Sequence, residues 1–277
     1  MGTNKTASSS LQRLCRESEK VLIDNELAFP LNSNWKQHSG AAWLSQKRDI
    51  KGLQGFFKLI SEETKAAKCK TTLISGEDFE NFLVDTHLAN EFELLAKSAG
   101  YNDIDWIVVK RKPLDYLLSL YSEMSSYKAA LDIELMSKLI LEYGFVSIGA
   151  ETYNWKFVFD INKFSEHFKK NVNKNLRVIS FEDFTFDFVG KVVLKDYLDK
   201  KSLDLLREVS KKIGILRQRH PPEKVELRYL AHFLGLQPSE KFHEANKDLV
   251  DSLVSHRVNR NKNLLVDIEK KFKEKFG

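Results

Sequence analysis

Two short segments of the sequence combine residues that can bind phosphate with the start of a helix. Residues 2–12, GTNKTASSSLQ, hold Lys5, a run of small hydroxyl residues and then the first apolar residue of a helical pattern. The first backbone N–H groups of a helix have no partner inside it, so such a loop can hold an anion with Lys5 as a point charge. A polar N-terminus before a capped surface helix is the alternative interpretation. The segment is not a Walker A loop, because it lacks the second Gly before the Lys.

The second segment, IVVKRKPLDYLLSLY, joins the end of an apolar strand to a helix. The strand ends near Arg111, Pro113 suits the first turn of a helix, and Ser119 follows about two helical turns after the Arg. Ligands of open α/β sheets bind at the carboxyl ends of the strands. An Arg can bind a phosphate through its planar guanidinium, and a Ser can donate a hydroxyl hydrogen bond. Taken alone, an Arg after a strand is more often a surface charge, and a Ser in a helix more often has no ligand.

The elements around these segments predict an α/β protein. Nearly unbroken apolar runs predict strands that are covered on both faces in a parallel sheet, namely 20–24, 71–76, 105–111 and 176–182. Helical patterns lie between them, at 9–19, 52–68, 89–100 and 113–144. Alternation of strand and helix indicates a three-layer α/β/α core with a central parallel sheet. We expect this core to occupy residues 1–185, and a helical C-terminal subdomain to occupy residues 186–277.

Composition narrows the class of protein further. The 277 residues are 42% hydrophobic and carry a net charge of only +5, which suits an anionic ligand but gives little support for a nucleic-acid partner. Cys15 and Cys69 have neither metal nor disulfide spacing, as expected for a reduced cytoplasmic compartment. We find no apolar run that could span a membrane and no secretory signal, so we predict a soluble cytoplasmic protein.

Together the two segments resemble motifs of the sulfotransferases that use 3′-phosphoadenosine 5′-phosphosulfate (PAPS). Bacterial members carry G-T-x-K-T-G-T-T-x-L-Q before a helix, and an Arg followed by Pro two residues later and Ser eight residues later. TTLISGEDFENF is similar to the bacterial strand that ends in S-S-E-x-F, and LRVISFEDF is similar to a later strand of the fold. The resemblance covers about residues 2–200 and implies the P-loop-like sulfotransferase fold.

The resemblance also implies a site and a reaction. Lys5 would contact the bridging oxygen and the 5′-phosphosulfate, and the hydroxyl residues around the same anion would be Thr6, Ser8, Ser9 and Ser10. Arg111 and Ser119 would hold the 3′-phosphate. An acceptor hydroxyl would attack sulfur in line and release adenosine 3′,5′-bisphosphate (PAP), without a metal. We expect the acceptor to be a carbohydrate or glycan precursor, with a small molecule as the alternative.

Two residues are candidates for the general base that such an acceptor hydroxyl needs. Glu77 follows the strand at 71–76, where several branches of the family place a base, but it also suits the first turn of the next helix. His38 precedes a helix, as a His often does in bacterial relatives, but it also suits a polar surface. His232, His243 and His256 show no metal-ligand spacing with an acidic partner, so we expect no metal site.

The sequence departs from the family at several places. Serines replace the paired threonines of the phosphate loop, and Asn4 stands where bacterial relatives often have His. Ala7 stands where the family has a Gly in the phosphate loop. The family's first strand falls before Gly2, where this sequence has only Met1, so we expect the core to lack that strand. Two other functions therefore stay open: a noncatalytic nucleotide- or phosphate-binding α/β protein, and a small-molecule kinase with an atypical phosphate loop.

Overall fold

In the computed structural model, the described part of the chain is a mixed α/β protein in which helices predominate. The described residues are 7–30, 38–125, 127, 131–150, 153–174, 176–214, 220–233, 244 and 246–277. They divide into two compact units: unit 1 comprises the described residues within Met1–Arg111 and Trp155–Leu216, and unit 2 those within Lys112–Asn154 and Arg217–Gly277. Position 185, the expected domain boundary, falls inside unit 1.

The helices and strands alternate only in part of the chain. The helices are α1 Ser8–Glu17, α2 Glu19–Asp24, α3 Ser39–Gln46, α4 Ile50–Ala66, α5 Asn81–Val84, α6 Thr86–Ser98, α7 Pro113–Met124, α8 Ile133–Tyr143, α9 Ile161–Val172, α10 Phe181–Thr185, α11 Lys191–Leu194, α12 Lys200–Ile213, α13 Pro222–Phe233 and α14 Lys247–Phe276, with a 3₁₀ turn at Asp78–Glu80. The strands are β1 Leu27–Ala28, β2 Thr71–Thr72, β3 Trp106–Lys110, β4 Phe145–Ala150, β5 Tyr153–Val158 and β6 Leu176–Ser180.

The described strands form three two-stranded sheets, β1-β2, β3-β6 and β4-β5. The first two sheets are parallel: Leu27 pairs with Thr71, and the β3-β6 ladder runs from Trp106 with Leu176 onward. Parallel pairing within an α/β protein therefore agrees with the prediction. A single central parallel sheet is not present among the residues described, because β2 and β3 belong to separate sheets.

Strand β3 is covered by apolar side chains on both of its faces. Trp106 packs against the rings of Phe92 and Phe168, with ring centroids 5.9 and 5.6 Å apart respectively. Val109 belongs instead to a core cluster that α1, α11 and α12 help to form, and the partly buried Ile107 packs against this cluster. Because successive side chains of a strand point to opposite faces, β3 has one apolar layer on each side.

Of the four predicted strands, two are confirmed, one is confirmed in part and one is wrong. The apolar runs at 105–111 and 176–182 contain β3 and β6, so these two strand predictions are confirmed, while only Thr71–Thr72 of the run 71–76 is strand. The strand predicted at 20–24 is wrong, since these residues lie in α2. A short apolar run does not distinguish a buried strand from a short helix, and here Leu22 alone of α2 is fully buried.

Unit 2 contains α7, α8, α13 and α14. The helix predicted at 113–144 is divided into α7 and α8, and Asp132 caps α8 by accepting a hydrogen bond from the backbone N–H of Glu134 at 2.9 Å. Among the residues that the structure describes, no helix combines the length and apolar character needed to cross a membrane.

Candidate functional site

The candidate site begins where the chain enters α1. Ala7 has φ +61° and ψ 21°, the left-handed conformation, and its carbonyl accepts hydrogen bonds from the N–H groups of Ser10 and Leu11 at 3.0 Å. Ser8 opens the helix and is buried, while Ser9 and Ser10 are partly exposed. Ala7 thus adopts the backbone conformation that Gly favours, at the position where the resembled motif has Gly.

The start of α1 is attached to the chain that follows β2. The Ser8 hydroxyl donates to Glu77 Oε1 at 2.5 Å, and the buried Gln12 amide donates to the carbonyl of Ser75 at 3.2 Å. These side chains come from predicted segments far apart in the sequence. The structure therefore brings the serine-rich helix start and the candidate base Glu77 together.

His38 lies close to the same segment but is engaged in the interior of unit 1. Its Nδ1 accepts a hydrogen bond from the backbone N–H of Ser75 at 3.0 Å, and its Nε2 is 2.6 Å from the carbonyl oxygen of Pro30. This pattern places the proton on Nε2, which donates to Pro30. Burial lowers the pKa of His38, against the raising effect of its backbone hydrogen bonds, so the neutral ring is favoured.

Asp78 is a neighbouring carboxylate that the sequence patterns did not single out. It is buried, and this burial raises its pKa above the usual value, while hydrogen bonds to the side chains of Trp43 and Trp155 act in the opposite direction. The sequence signal for Asp78 was its place in an acidic pair directly after the TTLISG run. In the structure Glu77 of this pair contacts Ser8, and Asp78 turns inward.

The remaining candidate residues are placed as follows. Arg111 directly follows β3, and its guanidinium lies 4.9 Å from the centroid of the Phe181 ring. Ser119 lies on α7 and is partly exposed, in unit 2, whereas Arg111 is in unit 1. Lys5 and Thr6 lie outside the described residues. The structure thus brings Ser8 and Glu77 into contact, and His38 close to them through Ser75.

A cavity of about 550 Å³ lies in unit 1 beside the start of α1. Ser8 and Leu11 of α1 line it, together with residues of β2 and β3 and the segments next to them. Its other walls are mainly apolar and come from α4, α6 and α11 through Phe57, Phe92 and Val193.

The fold and the site define the class of protein only coarsely, as a mixed α/β protein. Its candidate site is the serine-rich start of α1 in contact with Glu77, which follows the parallel strand β2. Comparison of the chain with protein-family models, with curated proteins and with solved structures finds no match. Within the part of the chain that the structure describes, no group of three or more His, Cys, Asp or Glu side chains is arranged to hold a metal ion.

Proposed function

We propose that the protein is a sulfotransferase that moves the sulfuryl group of PAPS to an acceptor hydroxyl on a carbohydrate or glycan precursor. The observation that carries the proposal is the entry into α1, where left-handed Ala7 is followed by three serines beside Glu77. Backbone N–H groups at a helix start, with small hydroxyl side chains around them, favour an anionic group. The order of the resembled motifs along the chain supports PAPS as that anion.

The proposed fold is a three-layer α/β/α arrangement like that of the family, in which the separate parallel pairs β1-β2 and β3-β6 form the middle layer. The two apolar layers on β3 support this proposal, because both faces of a strand are covered in such a middle layer. The parallel pairing of β1 with β2 and of β3 with β6 is also consistent with it.

In the proposed site, each residue has a specific task. Lys5 and the N–H groups around Ser8 neutralise the charge that develops on the leaving phosphate. Arg111 binds the 3′-phosphate with its planar fork, and the contact with Phe181 holds its guanidinium.

The proposed reaction forms a bond from the acceptor oxygen to sulfur as the bond from sulfur to the bridging oxygen breaks. The electron pair of the broken bond stays on the leaving PAP, and the proton of the acceptor hydroxyl passes to Glu77. The geometry supports Glu77 over His38 as the base, because both ring nitrogens of His38 contact backbone groups in the interior. His38 then positions the segment that carries Glu77.

The test is a calorimetric titration of the chain with PAP in EDTA, with adenosine 5′-monophosphate as the comparison ligand. We expect PAP binding that requires the 3′-phosphate and needs no metal. Arg111→Ala and Lys5→Ala should each weaken it at least about tenfold, because a hydrogen bond to a charged group contributes about 1.5–3 kcal/mol. Lys20→Ala, which removes the same charge from an exposed position on α2, should leave the affinity unchanged.

The other possible results separate the alternatives. Absence of PAP binding would overturn the sulfotransferase proposal. Binding of a nucleoside triphosphate that requires Mg²⁺ would instead favour the small-molecule kinase. PAP binding without transfer to any acceptor in a carbohydrate screen would favour a noncatalytic binding protein.

A further inference from the structure

Two tryptophan side chains of unit 1 converge on one carboxylate beside the candidate site. Trp43 of α3 and Trp155 of β5 are both hydrogen-bonded to the side chain of Asp78. An indole has a single polar hydrogen, on Nε1, so each ring donates that hydrogen to the carboxylate. Asp78 is only 7% exposed, so the acceptor that the two rings share is an interior group. The polar end of each indole is therefore held in place.

Trp43 leaves much of its apolar ring in water although its polar end is bound. The residue is 43% exposed, and Trp155 is partly exposed. Trp106, which also donates its Nε1 hydrogen to a carboxylate, that of Glu93, is by contrast buried. A ring that is fixed at one end and exposed along its apolar part is preorganised to pack against the apolar face of a ligand.

The exposed ring lies close to the candidate base. Asp78 directly follows Glu77, so their Cα atoms are about 3.8 Å apart. Adding the reach of the Asp78 side chain and one hydrogen bond puts Trp43 Nε1 within roughly 11 Å of the Glu77 Cα atom. A short oligosaccharide spans such a distance. A ligand that packs on Trp43 can therefore also reach the carboxylate that contacts Ser8.

The pairing of an exposed indole with a nearby carboxylate matches the chemistry of a sugar. One face of a pyranose ring consists of C–H groups, which pack on an aromatic face, and its rim carries hydroxyls, which donate to carboxylates. A purely apolar ligand would use the indole but would have no hydroxyl for Glu77. The side chains present at this place therefore favour a carbohydrate.

We propose that Trp43 is a stacking surface for one pyranose ring of the acceptor, and that it places a hydroxyl of the same or the next sugar at Glu77. The inference rests on the proposed function, since it names the side chain that binds the acceptor of that reaction. The hydrogen bond to Asp78 holds the indole in position before the sugar arrives. Binding then loses little conformational freedom of this side chain.

The test is binding of the chain to an array of immobilised neutral oligosaccharides, without nucleotide. Neutral glycans are used because the chain has a net charge of +5, which attracts anionic ones. We expect the parent chain to bind a set of glycans and Trp43→Ala to bind them at least about tenfold more weakly, because the apolar contact is lost. Trp43→Phe, which keeps an aromatic face, should retain most of the binding. Phe186→Ala removes an exposed ring elsewhere in unit 1 and should change nothing.

A second measurement needs no variant and so does not depend on the folding of one. In saturation-transfer NMR of the parent chain with a glycan found on the array, saturation of aromatic protons should reach the C–H protons of one sugar face more strongly than those of the other. Equal transfer to both faces would contradict stacking on an indole.

Two results on the array would overturn the proposal: absence of glycan binding by the parent chain, and equal binding by the parent chain and Trp43→Ala. The outcomes for the two proposals are distinguishable because the array contains no nucleotide. PAP binding without glycan binding would overturn this inference alone. Glycan binding that depends on Trp43, without PAP binding, would overturn the sulfotransferase proposal and leave Trp43 as a sugar-binding residue.

Discussion

At the scale of single residues, Ala7 has a conformation that is costly for its own side chain. A left-handed conformation costs an L-residue with a Cβ roughly 1–2 kcal/mol and costs Gly little. We therefore expect Ala7→Gly to raise the free energy of unfolding by about 1 kcal/mol, and Ala7→Val, which is β-branched, to lower it.

Chemical denaturation of the three chains measures this effect. Both substitutions lie at the same position, so they form a matched pair. If Ala7→Gly instead lowers the free energy of unfolding, as Gly does inside a right-handed helix, the left-handed entry into α1 is wrong.

His38 should make the stability of the protein depend on pH. Its pKa is lowered from 6.5 in the folded state, so below pH 6.5 the unfolded chain binds a proton that the folded chain does not. The contribution of His38 to the free energy of unfolding is therefore fully present above pH 6.5. It declines as the pH falls below 6.5, by at most about 1.4 kcal/mol per pH unit.

The control is His38→Gln, which removes the titration while keeping an amide that can hydrogen bond. Denaturation of both chains between pH 7.5 and 5, about the window of an ordinary His, should show a steeper decline for the parent chain. Comparing the two also cancels the contribution of Asp78, whose raised pKa acts with the opposite sign. Parallel pH profiles would contradict the buried neutral ring.

At the scale of elements, a buried polar network joins the helices of unit 2. Glu226 of α13 accepts hydrogen bonds from Tyr121 of α7 at 2.9 Å, and from Arg257 and Asn261 of α14 at 2.6 and 2.7 Å. Arg257 also pairs with Asp132 at 3.0 Å, and its guanidinium lies 4.1 Å from the centroid of the Tyr229 ring. The network therefore connects α7, α13 and α14 with the cap of α8.

Removal of Glu226 should destabilise unit 2 strongly. Glu226→Ala removes the acceptor of Arg257 Nε and of the Asn261 amide, while Arg257 keeps its pairing with Asp132. Breaking a buried ion pair costs about 3–5 kcal/mol, and we expect a loss of stability up to that size. Glu223→Ala, at an exposed position on the same helix, should cost under about 1 kcal/mol. Thermal unfolding followed by circular dichroism measures both, and equal effects would contradict an energetic role for the network.

At the scale of the whole molecule, the two units have different kinds of interior. Unit 1 contains both parallel strand pairs, an aromatic layer and the candidate site. The core of unit 2 includes four helices and the charged network around Glu226. Each unit is assembled from two separated stretches of the sequence, which a pattern that is read along the chain does not indicate.

The sequence by itself determined features that depend on near neighbours. The serine-rich start of α1 and the first-turn Pro113 of α7 follow from local helix chemistry, and β3 and β6 follow from their apolar runs. Glu77 was a candidate base because it follows a predicted strand, at the place where the resembled family has a base. These signals depend on contacts within a few residues, so they can be read without the fold.

Only the tertiary structure decided features that depend on residues far apart in the chain. Residues 20–24 are apolar enough for a strand, but they form α2, and the strand of that region is β1. His38 lies in a polar stretch of sequence that suits the surface. In the structure, however, its ring contacts Pro30 and Ser75 in the interior. Pairing of β3 with β6, and the cavity between β2 and β3, depend on how distant segments pack, because burial and hydrogen bonding across the core are properties of the assembled fold.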